Sequence, residues 1–323
     1  MNYFEINAVS NSLLNKVDTF AKYGISKEYW NDKLPSIEGE FIEIGTAVDE
    51  LIANELDLDT VVEEYDLTGF SATEKKILVE SLTEPLIDVY LRYYDNKDTK
   101  DYISGKSDKI MSKVDDLYIR ARGYYDFMEL NRDRRIVSKE VYETINKCYQ
   151  AILSNKEYQE IFSNGIKQLE IYWKEDDLDC KAKIDLVFVD DINRIVHIAD
   201  LKTHATSLVG SIKKRNYIRQ LSFYSHALRQ HLGVNYEFKY YIIGCHTKYY
   251  KTETIEISEN DILLAQYGGF IKPDIFTIGK NFYLDESQID MMLYNGFWEL
   301  EDKLEKRTYG WSELIKIYNE NYR

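Results

Sequence analysis

The sequence predicts an α/β protein: a mixed central sheet flanked by helices, with a large helical N-terminal region and a C-terminal helical segment. Three observations predict it. Up to about residue 165 the apolar residues recur mostly at helical spacing. From residue 167 the texture changes to five short stretches rich in β-branched and aromatic residues: KQLEIYWK, CKAKIDLVFV, RIVHIADLKT, YEFKYYIIGCHT and KTETIEIS. Between the third and fourth of these, SIKKRNYIRQLSFYSHALRQHLG returns to helical spacing, with Gly233 as its stop signal.

Each element has its own warrant. In GTAVDELIANEL (45–56), Val48, Leu51, Ile52 and Leu56 follow a helical period. SATEKKILVESLTEPLIDVYLRYY (71–94) opens with Ser71 and Glu74 at capping-box spacing, and Pro85 kinks or divides the helix they begin. RRIVSKEVYETINKCYQAIL continues the helical pattern to about residue 153. The first three strand candidates can form an antiparallel meander, and the helix after them allows a crossover back to the sheet. SQIDMMLYNGFWELEDKLEKR reads as a closing helix with Gly296 inside it. The boundaries that follow are a helical region over 1–165, an α/β core over 166–260 and a helical extension over 261–323.

The composition narrows the class. Hydrophobic content of 44% with three prolines and fifteen glycines is that of a globular chain, and 28 tyrosines suit half-buried positions with the hydroxyl in water. A formal net charge of −15 argues against coating nucleic acid through bulk charge, while leaving room for a local basic groove. Cys148, Cys180 and Cys245 are scattered without a CxxC pair, which disfavours a zinc ribbon, an iron–sulfur cluster or a disulfide framework. With no signal-peptide pattern and no apolar run near the roughly 20 residues of a membrane span, the expected location is the cytoplasm.

The hairpin KIDLVFVDDINRIVHIADLKT carries charges where a buried strand should have none. Buried carboxylates and ammoniums are paired or bound to metal. Asp200 and Lys202 share one face of their strand. If Val189 pairs with Arg194, Asp185 lies opposite Ile198 on the same face as Asp200, with β-carbons roughly 7–8 Å apart. A shift of one residue would send the two carboxylates to opposite faces. Two carboxylates on a rigid sheet make a hard oxygen site suited to Mg²⁺ or Mn²⁺. A lysine beside them can hold the attacking water or stabilise charge on a phosphate, which is what metal-assisted phosphodiester hydrolysis requires. A surface face carrying an Asp–Lys pair is the alternative reading.

KID followed by DLK resembles the active-site signature of the PD-(D/E)xK nuclease superfamily, most of all its RecB-like branch and the phage exonucleases (RecE-like and lambda-exonuclease-like). The resemblance covers 167–257 well and the N-terminal helices loosely. It implies a restriction-endonuclease-like core in which Asp185 and Asp200 bind Mg²⁺ or Mn²⁺, with the backbone carbonyl of Leu201 as a further ligand, and Lys202 assists the attacking water. That branch usually carries Gln-x-x-x-Tyr on the following helix, matched by Gln220 and Tyr224, which at i, i+4 project from one helical face. It often has a Gly followed four residues later by a metal-binding His; here Gly45 is followed by Asp49, a departure. Asp49 either binds the metal directly or is a solvated helix charge. Glu170 either supplies a further carboxylate, as an early-strand acid does in some phage exonucleases, or faces solvent.

Lys213, Lys214, Arg215 and Arg219 cluster at the start of the crossover helix, where they can hold DNA phosphates, and Tyr217 could stack on an unpaired base. An ordinary exposed helix start is the alternative. Arg120, Arg122, Arg132, Arg134 and Arg135 are interleaved with acids and read as a solvated surface. His197 reads as a packing residue and His204 as a weak candidate for approaching substrate.

The expectation is a metal-dependent DNase, with the exonuclease mode on linear double-stranded DNA, for recombination or repair in a phage or bacterium, coming from the resemblance. DNA is the expected partner. The same phage relatives imply a single-strand annealing protein as a further partner and make a homo-oligomer plausible. The rivals are an endonuclease or nickase on the same core, and a catalytically silent DNA-binding or assembly module.

Overall fold

In the computed structural model the described residues are 3, 6–23, 39–94, 107–175, 177–233, 235–268 and 309–321. They fall in two compact units, Met1–Leu56 with Thr144–Arg323, and Asp57–Glu143. In chain order the first elements are α1 (Asn11–Tyr23), α2 (Glu40–Ala53), β1 (Val61–Glu63), α3 (Ala72–Glu80), α4 (Leu86–Tyr93), α5 (Ser107–Leu130), β2 (Arg135–Val137) and α6 (Lys139–Leu153). There follow β3 (Ile166–Glu175), β4 (Leu178–Asp190), β5 (Ile195–His204), α7 (Leu208–Arg215), α8 (Tyr217–Leu232), β6 (Glu237–His246), β7 (Thr252–Ile257), α9 (Glu259–Tyr267) and α10 (Trp311–Asn321). The expected closing helix at 287–307 lies outside the described residues.

The Asp57–Glu143 unit packs α3, α4 and α5 around Ile77, Leu78, Val89, Val114 and Leu117. Ser71 and Glu74 form the expected reciprocal cap, Glu74 N–H donating to Ser71 Oγ at 3.2 Å and Ser71 N–H to Glu74 Oε2 at 2.8 Å. Pro85 divides the segment, ending up as the residue before α4. Residues 135–137, expected as helix, form β2 instead. Ile136 and Val137 pair in parallel with Val62 and Glu63 of β1, where β-branched side chains pack well. Three of the arginines here are ion-paired at the surface, Arg120 with Glu74 and Asp116, Arg122 with Asp126 and Arg132 with Glu129, while Arg135 is half-buried.

The other unit holds the five-stranded sheet in the order β3-β4-β5-β6-β7. Only β5 and β6 run parallel, and α7 and α8 make the crossover between them. All five strands lie where the sequence puts them, to within two residues at each end. The crossover is two helices rather than one. Asn216 takes a left-handed conformation (φ 56°) between α7 and α8, a role that asparagine fills more readily than most residues. Nearly every turn of α8 is buried, because the sheet covers one side and α1 and α9 cover others. The C-terminal α10 closes the cluster: Trp311 is fully buried, stacks edge-on against Phe223 and donates from Nε1 to Ser222 Oγ at 3.0 Å. The helical region expected over 1–165 is therefore split, since α1 and α2 belong to the sheet's unit.

The hairpin register differs from expectation by two residues. Val189 pairs with Val196 and Asp190 with Ile195, so the four-residue loop spans 191–194 instead of 190–193. Asp190 sets it by accepting the N–H groups of Ile192 (3.1 Å) and Asn193 (2.9 Å) through Oδ1, and Arg194 closes it with φ 57°. A shift of two keeps every side chain on its face.

Strand β4 breaks its alternation midway. Ala182, Ile184 and Val187 all enter one apolar cluster, so the period slips between 184 and 187, and Asp185 sits in the slip. The β4–β5 ladder stops at Leu186↔Ala199. The β3 residue in register with the break, Gln168, has φ 51°.

Arg219 needs a correction. It is buried (4% exposed), pairs with Asp18 of α1 at 3.1 Å and donates to Asn15, so it ties α1 to α8 rather than facing DNA. Breaking a buried pair strands the remaining charge. Arg219→Ala should therefore lower stability by about 3–5 kcal/mol in urea denaturation, while leaving the salt dependence of DNA binding unchanged. A flattened salt slope would return Arg219 to the phosphate contacts.

Candidate active site

The site forms where β4 and β5 part. Leu201 N–H, the next donor beyond the end of the ladder, is taken by Asp185 Oδ2 at 2.9 Å. The side chain of Asp185 thus replaces a lost strand-to-strand bond and is fixed by it. On β5, Asp200 is fully buried, and Lys202 Nζ lies 2.5 Å from its Oδ2. The ammonium also donates to the carbonyl of Leu201 at 3.0 Å and stands 5.0 Å from the centre of the Tyr217 ring.

Helix α2 brings Asp49. Gly45, one turn earlier, allows this approach: a β-carbon there would come within 3.1 Å of Thr203 Oγ1 on β5. The Asp49 carboxyl is held well above the usual carboxylate range by burial and by Asp185, with Lys202 opposing and Asp200 adding to the effect. Burial likewise pushes Asp200 up to about 7, against the pull of Lys202 and with a further push from Asp185. For Lys202 burial alone would favour loss of the proton, but Asp200, Asp185 and Asp49 outweigh it and hold the ammonium above the ordinary lysine range. Tyr224, buried on α8, accepts from Gln220 Nε2 at 2.7 Å, and its hydroxyl is pushed up by burial and by the charges of Asp185 and Asp200.

The structure therefore brings together Asp49, Asp185, Asp200, Lys202 and Tyr224, with Gln220 holding the tyrosine. It does not bring in Glu170, which is exposed, accepts from Tyr172 Oη at 2.9 Å and is not among the charges acting on Asp49, Asp200 or Lys202. The solvent-facing alternative holds for it. The side chains of Lys213, Lys214 and Arg215 lie outside the described residues. His197 stacks on Tyr241 at 5.9 Å and is a packing residue. His204 is buried, with Nδ1 2.5 Å from the carbonyl of Thr206.

A cavity of about 400 Å³ adjoins Lys202, between the first turn of α2 and the segment after β5. Sequence reasoning missed part of its lining, Phe41, Ile42, Thr206, Ser211 and Thr247 among it. Phe41 continues the helical stripe of Ile44 and Val48 and so reads as core, yet it is 51% exposed on the cavity's rim.

The donor set suits a divalent cation. Three carboxylates face one ammonium, Asp200 Oδ1 is buried without a hydrogen-bond partner, and all candidate ligands are hard oxygens. Among the described residues no three acidic, histidine or cysteine side chains are already closed into a chelate. The Lys202 ammonium instead occupies two of the expected ligand atoms, Asp200 Oδ2 and Leu201 O.

A mixed sheet flanked by helices, with an acid on each arm of its central hairpin and a lysine two residues beyond the second, is the architecture of the PD-(D/E)xK class. Residues 112–268 match the model of a family described as a PDDEXK-like domain of unknown function, DUF3799. No curated protein matches. Among solved structures the chain is similar to a candidate exonuclease from Eubacterium rectale, at 13% identity over 62% of this chain and 81% of that one. With a TM-score of 0.32, that likeness is too distant to carry an argument. Among the described residues no helix is long and apolar enough to cross a membrane.

The raised Asp200 value has a consequence for stability. It lies above the unfolded value of about 3.9, so the folded form holds the proton more tightly and stability falls as pH rises from about 4 towards 7. Asp200→Asn removes this titration. With chelator present, its urea midpoint should fall less steeply than that of the wild type over that interval; parallel profiles would mean that Asp200 is ionised throughout.

Proposed function

We propose that this chain is a Mg²⁺- or Mn²⁺-dependent deoxyribonuclease of the PD-(D/E)xK type, acting as an exonuclease on linear double-stranded DNA during recombination or repair in a bacterial or phage-infected cytoplasm. The observation that carries the hydrolytic part is the convergence of Asp185, Asp200 and Asp49 on one lysine. The exonuclease mode and the cellular setting rest on the RecB-like pattern of Asp185, Asp200, Lys202, Gln220 and Tyr224. A single-strand annealing partner and a homo-oligomer belong to the same reading.

Asp185, Asp200, Asp49 and the carbonyl of Leu201 would hold the cation. Bound there, it would supply charge neutralisation at the scissile phosphate and a more acidic water. Asp200, Asp185 and Asp49 favour the ammonium form of Lys202, which suits a donor. Its role is to donate: it orients the attacking water and stabilises charge growing on the phosphate oxygens. Tyr224, protonated as well, steadies the carboxylates from the α8 side, and Gln220 fixes its hydroxyl. The last residues of α7, Lys213, Lys214 and Arg215, would meet the DNA backbone.

End-labelled linear and circular DNA, digested with either metal, tests this directly. Labelled mononucleotides should appear from linear DNA while closed circles survive; cut circles would favour the endonuclease reading. Lys202→Ala should lower cleavage at least about 10²-fold while metal and DNA affinity change little, whereas Asp200→Ala should lose metal as well. DNA binding without cleavage of linear, nicked or single-stranded DNA would identify a silent module.

A further inference from the structure

The cavity beside Lys202 is unlike a phosphate site. Among its described lining side chains the only cation is Lys202, already paired with Asp200, and the nearby Asp49 is a carboxyl group, not a second cation. The rest is neutral. Thr203, Thr206, Ser211 and Thr247 offer hydroxyls, and Phe41 (51% exposed) and Ile42 (40%) offer apolar surface at the rim. Hydroxyl donors and acceptors on one side and an aromatic face on the other suit a flat, uncharged, polar-edged group.

The cavity is also firm. Thr247 N–H donates to the carbonyl of His204 at 2.9 Å, and the carbonyl of Thr206 is held by His204 Nδ1. The segment after β5 is thereby tied to the end of β6 before any ligand arrives. At about 400 Å³ the space is within the usual range for one small ligand, roughly 300–1,000 Å³, and too small for a base pair with its stacked neighbours.

We propose that this cavity is a nucleobase subsite: it takes one unpaired base next to the scissile phosphate, stacked on Phe41 and hydrogen-bonded by the threonine and serine hydroxyls. The proposal rests on the nuclease reading and sharpens it. A base inside a duplex has its edge paired and both faces stacked, so it must leave the duplex to enter. The nucleotide beside the cut must be unpaired, and frayed ends and single strands are the preferred substrates.

Two arms test it with the full-length chain. In the first, an abasic residue is walked along an end-labelled single strand cleaved with Mg²⁺ or Mn²⁺. Cleavage should slow about tenfold, the effect of one lost base–aromatic stack, at one fixed offset from the scissile phosphate. Phe41→Ala should bring the ratio of base-bearing to abasic rates at that offset close to one, and Phe41→Trp should restore it. In the second arm, 2-aminopurine replaces single bases of the strand, and its fluorescence is read with metal chelated. Quenching on binding should be lost in Phe41→Ala and regained in Phe41→Trp. Rates indifferent to the abasic residue at every offset, or a ratio that Phe41→Ala leaves unchanged, would overturn the subsite. Phe41-dependent quenching without any cleavage would keep the subsite and discard the nuclease reading.

Discussion

Asp200 is a carboxylate with no exposure to solvent, and the interaction on which the rest of the site depends is its contact with the Lys202 ammonium. Burying either ion alone would cost several kcal/mol, and burying both is tolerable only with close geometry and further polar partners. The surroundings supply these in layers. Leu201 gives its carbonyl to the lysine and its N–H to Asp185. Tyr217 offers its ring to the same ammonium. The site nonetheless gathers more carboxyl groups than one lysine can balance, which is why burial and mutual repulsion raise Asp49 and Asp200 together.

Backbone irregularity makes that arrangement possible. A regular ladder through Asp185 would spend Leu201 N–H on a main-chain carbonyl and point the aspartate along the ordinary alternation. The slip between Ile184 and Val187 frees the donor for the side chain. The part of β4 beyond the reach of β5 does not become an open edge, because Val9 pairs with it beside Cys180 and Lys181 Nζ donates to the carbonyls of Tyr3 (2.7 Å) and Ile6 (2.8 Å).

Much of this was legible in the sequence, for identifiable reasons. The five strands stood out because β-branched and aromatic residues concentrate there, and the charges of the hairpin stood out because Asp185 interrupts one apolar strand and Asp200 and Lys202 interrupt the next. The convergence of Asp185 and Asp200 depends only on an even register shift, so it survived a misjudged turn. The turn itself depended on Asp190 and on a left-handed Arg194, which spacing does not encode. Arg219 looked like a phosphate ligand because its true partner, Asp18, is some two hundred positions away in the chain. The single crossover helix concealed Asn216, whose conformation depends on what packs around it. Phe41 fits its helical stripe, and only the tertiary structure leaves the first turn of α2 with a cavity beneath it instead of core.

The contact between Trp311 and Ser222 also bears on how the molecule is made. Helix α8, which carries Gln220 and Tyr224, rests on an indole contributed nearly ninety residues later. During translation the sheet and the crossover emerge first, and the apolar face around Phe223 stays open until residue 311 has cleared the ribosome. The packing behind α8 is thus completed only after residue 311 has been made, and until then the nascent chain carries that helix loosely held.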